Sequence, residues 1–297
     1  MSTADEHAER FTVLRPLLFT IAYEILGSAT EADDVLQDGY LRWAGVDLAE
    51  VRDTKAYLAQ LVTRQALNTL RSQARRREDY VGPWLPEPLL LDDTDASSDV
   101  VLAESVSMAM LVVLETLSPD ERAVFVLREV FGFSHDDIAS AVGKSTAAVR
   151  QMAHRAREHV HSRRKRFEPV DSGKSEQITT AFLVAAATGD LDGLIAMLAP
   201  DVVFTSDSDG KVSAARRPVL GAEKVARLLI GLMSRAGSEY RVQIASYNSA
   251  PAAIVYYNDR PDSVFMIEVI DGKITNFYAM RNPEKLASVT VPREISR

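Results

Sequence analysis

LSPDERAVFVLREVFGFSHDDIASAVGKSTAAVRQMAHRARE, Leu117 to Glu158, decides how the middle of this chain folds. Ser118-Pro119-Asp120-Glu121 is a helix start: a capping hydroxyl, a proline at the first helical position, and a glutamate three residues after the serine. A second start stands at Ser134, paired with Asp137, and the short helix it opens closes at Gly143. A longer helix runs from about Ser145 to Arg166 and turns Val149, Met152, Ala153, Ala156 and Val160 inward. A capped short helix, a glycine turn and a longer helix make a helix-turn-helix pattern. The inward set leaves Lys144, Ser145, Thr146, Arg150, Gln151, His154 and Arg155 near the start of the second helix. Arg and Gln there can form paired hydrogen bonds with guanine and adenine edges. The other reading of the same spacing is a helical hairpin whose polar residues are merely solvated.

Upstream the chain also reads as helix. Phe11, Leu14, Leu18, Ile21 and Ile25 form a stripe that ends at Gly27. A second helix is expected from Thr30, with Thr30 and Asp33 as a capping pair and Ala32, Val35, Leu36, Gly39 and Trp43 on one side. A third runs from about Asp53 to Arg77, with Leu58, Leu61, Val62 and Ala66 inward and Arg64, Asn68, Arg71, Gln73 and Arg75 to Arg77 off the stripe. Taken alone, a basic helix end is a solvated terminus that suits the helix dipole as well as it suits a phosphate backbone. Between the two helical parts lies VGPWLPEPLLLDDTDASSD, Val81 to Asp99, whose three prolines and acidic end suit an extended linker.

After a second linker, Pro169 to Lys174, the texture changes. Helical patterns near Glu176 and over Asp190 to Leu198 precede strand-like runs at Val202 to Thr205, Tyr240 to Tyr247, Ala252 to Tyr257, Ser263 to Ile270 and Lys273 to Met280. A helix is expected at about Ala222 to Ser234, and Asp271-Gly272 is a hairpin signal. The carboxy-terminal part is therefore α+β.

Composition bounds the function. The chain has 297 residues, room for two or three domains. Apolar residues at 46% and charged residues at 26% are those of a folding chain. No cysteine is present, which excludes disulfides and thiol nucleophiles. The amino terminus has no signal-peptide pattern and no run reaches the roughly 18 apolar residues of a membrane span, so a cytoplasmic protein without membrane contact is expected. A net charge of −8 argues against general coating of nucleic acid. Positive charge instead gathers at Arg71 and Arg75 to Arg77, and again at Arg150, Arg155, Arg157, Arg163, Arg164, Lys165 and Arg166, which suits local DNA contact.

AYEILGSATEADDVLQDGYLRWAG, then DTKAYLAQLVTRQALNTLRSQARRR, then the linker and the helix-turn-helix stretch together resemble the extracytoplasmic-function sigma factors of bacterial RNA polymerase, over about Phe11 to Arg166. The resemblance implies that Asp33, Asp34, Gln37 and Asp38 face the clamp helices of core RNA polymerase. It implies that Asn68 captures an extruded base of the minus-ten element while Arg64, Arg71 and Arg75 hold phosphates. It implies that Arg150, Gln151, His154 and Arg155 read the minus-thirty-five element of promoter DNA.

WLPEP, Trp84 to Pro88, and RNPEKL, Arg281 to Leu286, resemble the linker signature and the terminal NPDKL motif of sigma factors that carry a SnoaL-like extension. Glu284 replaces the usual aspartate, and Asp207-Ser208-Asp209-Gly210-Lys211 departs from an aspartate followed by three glycines, removing freedom at positive φ. The resemblance implies a tail that packs near the linker and regulates the sigma core, through Trp84, Leu85, Pro86, Asp207, Asp209, Gly210, Asn282, Pro283, Glu284, Lys285 and Leu286. It implies a multidomain fold: two all-α domains, 1–80 and 106–168, joined by a linker at 81–105 and followed by a SnoaL-like α+β cone at 175–297. Such cones also occur as enzymes. All five histidines lie at or before His161, so an acid-base site in the tail would rest on Asp201, Asp207, Asp209, Glu268 or tyrosines, and Asp201 and Asp207 read first as turn residues. Promoter-selective initiation without catalysis, cofactor or metal is expected, with a small-molecule ligand in the tail as a further partner. The alternatives are an operator-binding regulator and a DNA-binding module fused to an enzyme.

Overall fold

The computed structural model describes residues 3–91, 99–163, 172–235 and 237–297, with the side chains of 3, 73–78 and 172–176 outside that description. Helix α1 (Thr3–Leu26) extends eight residues upstream of the apolar stripe and ends at Gly27, whose φ of 70° is left-handed. Helix α2 (Ala29–Trp43) does not begin at Thr30. Ser28 is its cap and accepts the Glu31 N–H at 3.1 Å, while the Thr30 N–H goes to the carboxylate of Glu87. Two hydroxyls compete for the cap, and the distant glutamate decides between them. Trp43 is fully buried and its indole N–H donates to the His7 carbonyl at 2.9 Å. Helix α3 (Thr54–Glu78) follows as the spacing predicts.

The linker is extended to Leu91, and a short helix α4 (Val100–Ser105), capped by Asp99, already forms before residue 106. Then come α5 (Met108–Leu114), α6 (Pro119–Phe125) and one π-helical turn at Val126–Val130. Helix α7 (His135–Val142), capped by Ser134, ends at left-handed Gly143 (φ 70°), and α8 (Thr146–Arg163) completes the helix-turn-helix. Buried residues of both helical stretches, from Phe11 to Val160, form one continuous apolar cluster that also takes in linker residues Leu89 and Leu91. Burial of this apolar area, not the polar contacts, is the main force holding the helices together.

The tail opens with α9 (Ser172–Thr188) and α10 (Leu191–Met197). Strand β1 (Leu198–Asp207) starts four residues before the expected Val202, with an irregularity between Leu198 and Val203 where Pro200 lies. The two-residue β2 (Val219–Leu220) carries no sequence signal; α11 (Ala222–Met233) then leads into β3 (Tyr240–Tyr247), β4 (Ala250–Tyr257), β5 (Arg260–Ile270) and β6 (Lys273–Met280). The order is β2-β1-β6-β5-β4-β3, with β1 and β6 parallel and the other pairs antiparallel.

Alternation gives the sheet two apolar faces. Phe204, Phe277 and Ala279 meet α9, α10 and α11 through Phe182, Leu194 and Leu229. On the other face Ile254, Val264, Met266 and Met280 meet Leu85 of the linker and Met108 of α5. Three hairpin turns carry two positive-φ residues each: Asn248-Ser249, Asn258-Asp259 and the anticipated Asp271-Gly272. The chain after β6 forms a single turn, α12 (Pro283–Leu286), capped by Asn282 with Pro283 at its first position. The all-α part followed by an α+β part is the architecture expected.

Candidate nucleic-acid interface and the tail that meets it

The inner edge of α3 does not face solvent alone. Arg64 Nη2 donates to the Ser140 carbonyl of α7 at 2.6 Å, and Arg71 Nη2 lies 2.5 Å from Asp120 Oδ1 on α6. Lys144, in the helix-turn-helix turn, reaches the other oxygen of Asp120 at 3.2 Å. Partial burial pulls the Asp120 carboxyl upward, but hydrogen bonds and charge from Arg71 and Lys144 outweigh it and hold it below the usual carboxylate range. Asn68 lines the cleft that remains, between Arg71 on its own helix and Val142 and Gly143 opposite. The structure thus brings the base-capturing and phosphate-holding candidates against the helix-turn-helix. The side chain of Arg75 lies outside the described residues, as do those of Arg76 and Arg77 and all of Arg164 to Arg166.

The recognition helix is freer. Arg150, Gln151, His154 and Arg155 are exposed along one side of α8, with Ser145 at its start capping Ala148. Thr146 is half-buried and donates to Asp136, and Arg155 lies 3.2 Å from Glu121. The Ser118 hydroxyl, then Arg155, hold the Glu121 carboxyl below its ordinary range. His154 lies 3.7 Å from Glu158. These residues share an outward side, as the spacing requires, and can meet a groove without rearrangement of α8 itself.

On α2, Asp34, Gln37 and Asp38 form an exposed acidic stripe. Asp33 differs: Arg15 holds one carboxylate oxygen at 3.0 Å and Arg293 approaches the other through Nη2 at 2.7 Å and Nε at 3.1 Å.

The linker and tail motifs converge on one buried group. Asp207, read from sequence as a turn residue, instead ends β1 with no exposed surface. Its carboxylate accepts the Tyr80 hydroxyl, the Leu85 N–H at 2.7 Å and the Lys285 ammonium at 2.8 Å. Lys285 also donates to the Leu85 carbonyl at 2.5 Å and stands 3.8 Å above the centre of the Trp84 ring. Asn282 donates to the Tyr80 oxygen at 2.8 Å. Burial, then the neighbouring carboxylate, push the Tyr80 phenol well above its ordinary range, which keeps it a donor. Pro86 and Leu286 are buried beside this clamp.

Asp209 and Gly210 complete the clamp. The Asp209 carboxylate accepts the Val81 N–H and pairs with Lys211 at 2.9 Å; Lys211 in turn reaches Glu284, which stays exposed, at 2.7 Å. Two glycines fewer than the motif carries are tolerated because Asp209 itself takes a left-handed φ of 48°, followed by Gly210 at 66°.

Three residues of this arrangement escape sequence reasoning. Glu87 accepts from Ser28 at 2.8 Å and Thr30 at 3.1 Å, while its N–H and carbonyl bond Gly27 and Tyr23. Asn248, buried in its hairpin turn, exchanges two bonds with Leu89 and donates to both the Tyr23 hydroxyl and the Val106 carbonyl. Arg293 is the third. Only the glutamate between the two prolines of WLPEP and an asparagine beside a serine between two strand runs carried any local hint. At the meeting point of α1, α4 and α6, buried Arg122 donates to the Glu24 carbonyl at 2.7 Å and pairs with Glu115, while Glu24 Oε1 accepts the Ser105 hydroxyl at 2.6 Å. Burial pushes the Glu24 carboxyl up to about 8, against the lowering effects of Ser105 and Arg122. Among the described residues no group of three or more His, Cys, Asp or Glu is placed to hold a metal, and no helix is long and apolar enough to cross a membrane.

The chain matches two family descriptions, Sigma-70 region 2 over residues 11–76 and Sigma-70 region 4 over residues 107–160. It is 36% identical over 286 residues to the ECF RNA polymerase sigma factor SigJ of Mycobacterium tuberculosis, covering 93% of this chain and 91% of that one. It is 28% identical over 289 residues to the probable ECF RNA polymerase sigma factor SigI of the same species, covering 96% and 97%. The crystal structure of the Mycobacterium tuberculosis extracytoplasmic function sigma factor SigJ superposes with a TM-score of 0.77 at 33% identity, over 96% of this chain and 99% of that one. With both helical regions matched in order and a relative similar through the tail, the chain belongs to the extracytoplasmic-function sigma factors of RNA polymerase.

Proposed function

We propose that this protein binds core RNA polymerase through the acidic side of α2 and directs promoter-selective initiation, with its own tail setting when the readers are available. The division is a polymerase-binding and minus-ten domain at 1–80, a linker at 81–105, a minus-thirty-five domain at 106–168 and a regulatory domain at 175–297. Asn68, Arg64, Arg71 and Arg75 serve the minus-ten element; Lys144, Ser145, Thr146, Arg150, Gln151, His154 and Arg155 serve the minus-thirty-five element. One observation carries the reading: the α3 residues that would take promoter DNA are packed against the helix-turn-helix by Arg64–Ser140 and Arg71–Asp120, so this arrangement is a closed one that must loosen before α3 can act.

The tail is a regulator without catalytic turnover. Its helix-covered face is apolar, built on Phe182, Phe204, Leu229 and Phe277, and offers no acid-base pair among its buried described residues. An apolar small molecule is the ligand such a face would take, with Val242, Ile244 and Tyr257 exposed at its open edge. A cytoplasmic location follows from the function.

The test is run-off transcription on genomic promoter fragments by core polymerase with the full chain and with an Arg150→Ala, Gln151→Ala variant. Defined transcripts with the full chain, several-fold weaker with the variant, are expected. Equal DNA binding with and without core polymerase, and no transcripts, would instead favour an operator-binding regulator.

A further inference from the structure

We propose that residues 288–297 are a strap that occupies a docking surface on the first helical domain, the first turn of α2 and the adjoining side of α1, in competition with a basic surface of core polymerase. The inference deepens the sigma reading and rests on it.

Beyond the NPEKL turn the chain does not trail away. Val289 is buried and its carbonyl accepts the Tyr247 hydroxyl at 3.0 Å. The Arg293 N–H donates to the Leu90 carbonyl at 3.0 Å, and Leu91 and Arg293 form a one-residue parallel bridge, so the segment lies alongside the linker. Ile295 is buried within the apolar cluster of the helical domains, not that of the tail. The Ser296 N–H donates to Thr20 on α1 at 3.2 Å, Ser288 meets Thr30 of α2 at 3.4 Å, and Arg297 pairs with Asp99.

The charge pattern identifies the competitor. Thr30, Asp33, Asp34 and Gln37 follow one another at helical spacing, so the strap contacts the first two members of the same stripe whose next turn is open. Arg293 is four-fifths or more buried and places a guanidinium on Asp33, the geometry suited to a carboxylate. A partner rich in Lys or Arg approaching this stripe finds Asp33 neutralised by Arg293 and Arg15 and finds Ser288 against Thr30. The surface the strap fills therefore fits a cationic helix or loop, and Arg293 mimics one of its side chains.

Binding of fluorescently labelled core polymerase to the full chain, Arg293→Ala, Arg293→Lys and Ser296→Pro tests the competition at one fixed salt concentration. Proline at 296 removes the N–H that holds the strap to Thr20 and leaves the pair with Asp33 untouched. Both Arg293→Ala and Ser296→Pro are expected to bind core about three- to tenfold more tightly, with faster hydrogen exchange in the first turn of α2, and Arg293→Lys to fall between them and the parent. Faster exchange there with unchanged or weaker core binding overturns the competition while leaving the sigma reading intact. Absence of core binding by every version overturns the sigma reading itself.

Discussion

Where α3 meets the helix-turn-helix, the polar contacts are rim contacts: the Arg71 side chain keeps 48% of its exposure and Lys144 keeps 44%, both on Asp120. Where the linker meets the tail, Lys285 keeps 9% and Asp207 none. Pairs of the first kind contribute roughly 0–1 kcal/mol each and weaken with salt. Removing one partner of the second kind strands a buried charge and costs about 3–5 kcal/mol. The difference teaches where polar contacts lock a joint: the clamp is fastened by buried charge, whereas the reader joint is held by the shared apolar cluster and only trimmed by ion pairs. The reader joint has ion pairs on its rim that stay open to solvent, whereas the clamp has a carboxylate with three donors and an ammonium with an aromatic ring and a carbonyl, satisfied only while linker and tail stay together.

The largest expected effect is therefore at the clamp. Asp207→Ala should lower unfolding free energy by about 3–5 kcal/mol in urea titration, with the Lys285 ammonium left uncompensated. A loss below about 1 kcal/mol would place the clamp in the same class as the reader joint and end the contrast.

Next in size is Glu24, which belongs to neither class: buried like the clamp, yet lodged between the two helical domains. Its carboxyl, raised to about 8, favours the closed fold while protonated. That contribution is intact below about 4.5 and is lost as pH climbs through 8. Glu24→Gln, which keeps the shape and removes the titration, should match the parent near pH 5 and exceed it by a few kcal/mol near pH 9, measured by denaturant unfolding at both. The groups facing Glu24 are Ser105 from α4, Arg122 from α6 with its partner Glu115, and the neighbouring Tyr23. A parent-to-variant difference that does not change with pH would show that Glu24 stays ionised.

The smallest change in stability is expected for Arg71→Ala, within about 1 kcal/mol of the parent by thermal unfolding. Its DNA phenotype should be larger: weaker open-complex formation across promoters and a reduced salt dependence. A large stability loss here would sharpen the comparison in the opposite sense, making the reader joint a lock in its own right.

The helix-turn-helix was legible because its determinants are local. Ser118, Ser134 and Gly143 act within three or four residues, and the inward stripe of α8 repeats inside a single helix. The start of α2 was not, because Ser28 and Thr30 are locally equivalent and the choice is made by Glu87, 59 residues away. Asp207 reads as a turn residue in its own neighbourhood and becomes a buried hub only when Tyr80, Leu85 and Lys285 arrive from elsewhere. The motif resemblance pointed to Asp207, Asn282 and Lys285, yet nothing in periodicity distinguishes them. Asn248 meets Tyr23 across 225 residues and Arg293 meets Asp33 across 260, separations over which sequence pattern carries no signal. Strand β2 is too short to alternate, and β1 begins through a proline that reads as a break.

The 260-residue gap between Asp33 and Arg293 also sets a clock. Translation runs at roughly 5–20 residues per second, so Asp33 leaves the peptidyl-transferase centre on the order of 10–50 seconds before Arg293 is made. Every surface that segment 288–297 covers is synthesised ahead of it. During that interval Asp33 has Arg15 as its partner and not yet Arg293, so α2 folds before the segment that later contacts it.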